Sequence, residues 1–132
     1  RCVRENVPFT VVPSNTYYLK KWPDASQWRQ NHPIRHMALA GMNIIPATDD
    51  WHMHNTNGAE CYRVMVEEFG FDLDGVRQLM LNGIDACWQP EEIKQQWRQS
   101  WAEEFDTLRS KLNQEPHINA AQHISYHRPH TA

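Results

Sequence analysis

The sequence predicts an α/β fold whose strands belong to a parallel barrel larger than the chain itself. Two apolar runs, residues 9–12 and 42–48, are typical of buried strands. A helical pattern lies between them, which gives the strand, helix, strand order of parallel pairing. Only helical patterns follow the second run. Because two strands alone leave both sheet edges open, the sheet is expected to continue beyond this chain.

The first half of the chain is predicted to contain one strand and one helix. The run at 9–12 is rich in β-branched and aromatic residues and is closed by Pro13, which suits a strand that enters a loop. The stretch that follows has no clean period and is interpreted as an irregular connection. A helix is predicted to begin near His32, with Pro33 in its first turn, and to end at Gly41.

The second predicted strand, Met42 to Thr48, ends in two adjacent carboxylates, Asp49 and Asp50. Parallel barrels place their catalytic groups at the carboxyl ends of strands, so this pair is the candidate site. Successive strand residues point to opposite faces, and the two carboxylates could therefore have different roles. The alternative is that they form side-chain-to-backbone turns and cap the segment that follows.

Three amphipathic helices are predicted after the carboxylate pair. The first ends at Gly70, Asp72 or Asp74 caps the second, and Pro90 opens the third. Each carries an apolar stripe, which we interpret as a packing face. The stripes are Ala59, Tyr62, Val66 and Phe69 in the first helix, Val76, Leu79, Met80 and Ile84 in the second, and Ile93, Trp97, Trp101, Phe105, Leu108 and Leu112 in the third.

Composition predicts one domain, residues 1–112, followed by a loose histidine-containing tail, residues 113–132. The net charge is −3 with no block of Lys and Arg, so nothing indicates nucleic-acid binding. No apolar run is long enough to cross a membrane. The three cysteines, Cys2, Cys61 and Cys87, are widely spaced and contain no C-x-x-C pair. They indicate reduced thiols and favour a cytoplasmic protein.

Several short motifs resemble, in order and spacing, the C-terminal part of the adenosine deaminase family. They are Glu5-Asn6-Val7-Pro8-Phe9, Pro13-Ser14-Asn15, His32-Pro33-Ile34, Gly41, Thr48-Asp49-Asp50, Asn82-Gly83-Ile84-Asp85-Ala86-Cys87-Trp88 and Pro90-Glu91-Glu92. The resemblance implies a (β/α)8 barrel of the amidohydrolase type that holds one zinc ion. It implies further that the two predicted strands are the seventh and eighth of that barrel, and that the later helices are its terminal ones.

The same resemblance implies separate roles for the two carboxylates. Asp49 matches the aspartate that ligates zinc and helps to deprotonate the attacking water. Asp50 matches the neighbour that hydrogen-bonds the purine ring at N7. Zinc accepts carboxylate oxygen and brings water close to ionisation at neutral pH, which suits hydrolytic deamination at C6. Trp51 stands where the family usually has proline.

The family's other zinc ligands lie on strands that this chain lacks. His52-Met53-His54 has the His-x-His form, but it follows the second strand, and we interpret it as a coincidence of the loop. We therefore expect the chain to be the C-terminal part of a deaminase, inactive without the N-terminal barrel segment and prone to self-association. Adenosine, adenine, AMP and modified purine nucleosides stay open as substrates. The alternative is a separate helical interaction module without catalysis.

Overall fold

A computed structural model describes residues 1–13 and 31–112. Within them the chain forms two strands and four helices, a helix-rich mixture that confirms the predicted α/β character. The elements are β1 (Pro8–Val11), α1 (Pro33–Leu39), β2 (Asn43–Pro46), α2 (Gly58–Glu67), α3 (Leu73–Ala86) and α4 (Glu91–Leu112). Most of the predicted irregular connection, and the whole predicted tail at 113–132, lie outside the described residues.

The two strands pair in parallel, as predicted, with Phe9 opposite Ile44 and Val11 opposite Pro46. β2 is shorter than the apolar run that predicted it, whereas β1 has the same length as its run and begins one residue earlier. The last ladder contact is the hydrogen bond from the Ala47 amide to the Val11 carbonyl, 2.8 Å long. Beyond it the chain turns, and Asp49 adopts a left-handed backbone conformation with φ of 56°. An extended strand cannot continue through that conformation.

Both ends of α1 are fixed by the residues that predicted them. The Nδ1 atom of His32 accepts a hydrogen bond from the Ile34 amide at 3.2 Å and caps the first turn. At the other end Gly41 has φ of 72°, which only glycine adopts at little cost. The Gly41 amide bonds to the Ala38 carbonyl and the Met42 amide to the Met37 carbonyl. This pair of bonds is a Schellman motif, and it returns the chain directly into β2.

The core lies where α1, α2 and α3 pack on the sheet. Its fully buried side chains include Ile44 of β2, Leu79 of α3 and Met65 of α2. On α2 the buried positions are Cys61, Val64 and Met65. Of the predicted stripe, Ala59, Tyr62, Val66 and Phe69, only Phe69 is fully buried, just beyond the helix end, while Tyr62 is half-buried against the core and Ala59 is exposed. The buried face of α2 is therefore shifted relative to the predicted stripe.

A buried amide ties α3 to the second strand. The Asp72 side chain caps α3 by accepting from the Gly75 amide at 2.7 Å, which selects between the two predicted caps. Three turns later Asn82 is fully buried. Its Nδ2 donates to the Ile44 carbonyl at 3.0 Å, and its Oδ1 accepts from Gln78 at 3.0 Å. Because these bonds satisfy the amide, Asn82 can occupy the core without the cost of an unpaired polar group.

The long helix α4 is less buried than predicted. None of its residues is buried, and Trp101 is 43% exposed, so its apolar stripe is not part of the core of the described fold. Polar contacts attach it to α3. Arg98 donates to the Asp85 carboxylate at 2.6 Å, Lys94 donates to the Asp85 carbonyl at 2.8 Å, and Arg109 contacts Asp74. In the described residues no helix is long and apolar enough to span a membrane.

Replacing Leu79 with alanine should cost more stability than replacing Trp101. Leu79 is fully buried, so its loss leaves a cavity and should lower the free energy of unfolding by about 2–5 kcal/mol. Trp101 keeps much of its surface in water, and Trp101→Ala should cost about 1 kcal/mol. Urea denaturation of both variants measures the difference. Equal losses would show that the α4 stripe is packed as core.

The pH dependence of stability should contain a contribution from His32. Burial lowers the pKa of this imidazole from 6.5 to about 4, and protonation of Nδ1 would break its bond to the Ile34 amide. As the pH falls, His32 is therefore protonated at a higher pH in the unfolded chain than in the folded protein, which favours unfolding. The contribution is complete above pH 6.5 and is lost as the pH falls towards 4, with a total of about 3 kcal/mol.

The variant His32→Asn isolates this contribution, because asparagine can still cap the helix but does not titrate. The loss of unfolding free energy between pH 7 and pH 4.5, measured by urea denaturation, should be smaller in His32→Asn than in the wild type. Identical pH profiles for the two proteins would refute the role given to His32.

Candidate functional site

The candidate site lies at the carboxyl edge of the β1–β2 pair. In parallel strands both carboxyl ends meet at the same edge, and Asp49 and Asp50 follow β2 there. Both residues are exposed, and the Asp49 side chain keeps 52% of its surface accessible. Aspartate is one of the few residues that adopts the left-handed conformation found at Asp49. The carboxylates are therefore accessible from solvent at the carboxyl edge of the strand pair.

The loop after the two carboxylates is a short hydrogen-bonded turn. The His54 amide donates to the Asp50 carbonyl at 2.9 Å, and the Thr56 amide donates to the Trp51 carbonyl at 3.1 Å. The side chain that caps α2 belongs to Asn57, which accepts from the Glu60 amide at 2.9 Å. The N-cap of α2 is therefore Asn57 and neither of the two aspartates.

A buried cysteine contacts the end of the second strand. The Cys61 thiol donates to the Ala47 carbonyl at 3.4 Å and lies 4.0 Å from the Thr56 hydroxyl. Burial raises the pKa of the thiol, which keeps it protonated near neutral pH. Cys61 therefore serves as a packed hydrogen-bond donor beneath the loop, and it is a poor candidate for a nucleophile or metal ligand.

The two histidines of His52-Met53-His54 lie in different surroundings. His52 is exposed and its ring lies against Trp51, with 3.7 Å between ring centroids. His54 is only 3% exposed, and its Nε2 lies 3.8 Å from Oδ2 of Asp49. The sequence analysis gave neither histidine a function and missed this proximity. The only feature of the sequence that could have indicated this contact is that His54 follows Asp49 by five residues, within the same short loop.

The donor set of the described residues fits zinc only in part. An aspartate oxygen is a suitable zinc ligand, and Asp49 presents one at the expected edge. A catalytic zinc needs about three protein ligands. Among residues 1–13 and 31–112 there is no group of three or more His, Cys, Asp or Glu side chains that could hold a metal ion. A zinc ion at Asp49 would therefore need further ligands from outside the described residues.

Comparison with known proteins identifies the family of the chain. The adenosine deaminase family model matches residues 1–103. A crystal structure of an amidohydrolase from Burkholderia ambifaria with bound zinc superposes with a TM-score of 0.80 at 41% sequence identity. The match covers 86% of this chain and 31% of that protein's chain. A search of curated proteins gives no significant match. With a family match over most of its length, the chain belongs to the adenosine deaminase family.

Proposed function

We propose that the chain forms the last two strands and the terminal helices of a (β/α)8 barrel that hydrolytically deaminates a purine nucleoside with the help of zinc. The observation that carries this proposal is the position of Asp49, exposed at the carboxyl edge of two parallel strands. Family membership and the zinc in the similar amidohydrolase support it. Adenosine is the leading substrate, and adenine, AMP and modified nucleosides are the alternatives.

The rest of the barrel is the partner that this proposal requires. In the described sheet each strand has one neighbour, so β1 and β2 each present one edge for a further strand. Closure of a barrel removes such edges and buries both faces of the strands. The N-terminal barrel segment would supply the missing zinc ligands at the same carboxyl edge. The 132-residue chain alone is then expected to be inactive.

Each carboxylate has a distinct role in the proposed reaction. Asp49 would contribute an oxygen ligand and accept a proton from the attacking water. Zinc, when bound, would supply the Lewis acidity that brings water close to ionisation at neutral pH. Asp50, exposed beside it, would hydrogen-bond the purine at N7, with one proton shared between the carboxyl group and the ring nitrogen. Trp51, which is 53% exposed, would border the substrate.

The two aspartates should respond differently to substitution in the complete barrel. Asp49→Asn should abolish turnover and weaken zinc binding, because an amide is a poorer ligand and cannot accept the proton. Asp50→Ala should keep its zinc while kcat/KM falls by about 10²-fold or more, because a polar contact to the reacting ring is lost. Zinc analysis and steady-state kinetics on both variants test the assignment.

Two outcomes would contradict the roles assigned to Asp49 and Asp50. Zinc lost from Asp50→Ala and retained in Asp49→Asn would exchange the two roles. Normal zinc content and normal rate in both variants would mean that the pair is structural, and the deaminase proposal would fail.

A second candidate function is self-association through α4, favoured by the exposure of its apolar stripe. Trp101, Leu108 and Leu112 are each more than two fifths exposed. The first turn of α4 carries Glu91 and Glu92, and its last turn is basic, with Arg109 and Lys111. Two copies in antiparallel contact would place each acidic end beside the other's basic end. A two-fold interface requires this kind of self-complementarity, and we infer that a second copy is the partner of this face.

Sedimentation of the 132-residue chain over a range of concentrations tests that interface. The wild type should dimerise, whereas the double variant Trp101→Glu, Leu108→Glu should stay monomeric because charges would be buried in the contact. Gln95→Glu adds a charge at an exposed α4 position outside the stripe, and it should leave dimerisation unchanged. A wild type that is monomeric throughout, or a double variant that dimerises as well as the wild type, would exclude this surface.

A further inference from the structure

We propose that His54 is a positioning residue that orients the Asp49 carboxylate for metal binding. The inference rests on the proposed function, since it concerns the residue assigned there as a zinc ligand. The Nε2 atom of His54 lies 3.8 Å from Oδ2 of Asp49. That separation is an electrostatic contact slightly longer than a hydrogen bond. Hydrogen bonds at catalytic sites are often long before the site is assembled and shorten in the complex.

The imidazole of His54 is held in place by its surroundings. The residue is 3% exposed, and Thr56, two positions along the loop, is also buried at 7%. The His54 amide donates to the backbone carbonyl of Asp50 at 2.9 Å, so the backbone of the histidine is tied to the backbone of the segment that carries the two carboxylates. A ring fixed by burial and by this short turn has little freedom to leave Asp49. It is therefore suited to act as a fixed reference for a neighbouring side chain.

The Asp49 carboxylate, by contrast, is exposed and lies at the start of a loop. An exposed side chain exchanges rotamers rapidly and loses that freedom when it binds a metal. A neighbour that favours one carboxylate orientation in advance reduces this loss. Such outer contacts orient metal ligands, and removing one typically lowers metal affinity or activity by about 10–100-fold. The contact between His54 and Oδ2 would favour one orientation of the Asp49 carboxylate before a metal ion binds.

The neighbouring His52 offers a matched comparison within the same loop. It is exposed, and its ring lies against Trp51. Both residues belong to one His-x-His sequence, but it is the His54 ring whose Nε2 lies 3.8 Å from Oδ2 of Asp49. If any histidine in this loop were sufficient, substitution of either His52 or His54 would lower zinc affinity. The positioning role predicts that only substitution of His54 does so.

The experiment measures zinc affinity by chelator competition, together with kcat/KM, in the complete enzyme that contains this chain. His54→Phe keeps a ring and removes both nitrogens, and zinc affinity should fall about 10–100-fold. His54→Gln places an amide N–H near the position of Nε2 and should restore affinity to within about threefold of the wild type. His52→Phe should match the wild type. His54→Leu provides the same loss of nitrogen in a smaller side chain if the phenylalanine variant does not fold.

The results separate this inference from the proposed function. Asp49→Asn is measured beside the histidine variants. If Asp49→Asn loses affinity while His54→Phe and His54→Leu do not, the positioning role is wrong and the deaminase proposal stands. Equal losses in His54→Phe and His54→Gln would reduce His54 to a packing residue and also overturn the inference. If Asp49→Asn itself binds zinc normally, the proposed function fails first.

Discussion

The parallel pairing of β1 with β2 is the constraint on which the rest of the structure depends. Ile44, at the centre of the pair, is fully buried and lies in the hydrophobic core with residues of α1, α2 and α3. The Schellman motif at Gly41 returns the chain into β2 in register with β1. Asn82 then binds the Ile44 carbonyl from α3. Because the strands run in the same direction, both also end at one edge, and the candidate site lies there.

The site is held by contacts from elements that carry none of its chemistry. Cys61 on α2 donates to the Ala47 carbonyl, just after β2 ends. Asn57 caps α2 and fixes the far end of the loop. Between these anchors the chain can turn sharply enough to give Asp49 a left-handed backbone. The exposed carboxylates thus lie on a short loop fixed at both ends, which is how a scaffold typically positions a functional loop.

The sequence predicted features that depend on local chemistry. His32, Pro33 and Gly41 bound α1 as expected, because capping needs only a few neighbouring groups. Parallel pairing followed from the order of strand and helix. The carboxylate pair was identified because it directly follows an apolar run.

The sequence-based predictions that were wrong concern which face of a helix packs against another element of the fold. The α2 sequence is apolar on more than one side, and contact with β2 and α3, which no local pattern encodes, selects Cys61, Val64 and Met65. The α4 stripe looked like core and is half-exposed in the described fold, because periodicity shows that a face is apolar without showing what covers it. His54 was missed because its proximity to Asp49 arises from a loop turn.

A zinc-edge anomalous diffraction map of the complete barrel that we propose tests the central claim most directly. The account predicts a peak about 2.0–2.2 Å from an Asp49 carboxylate oxygen. A zinc site that does not include Asp49 would contradict it.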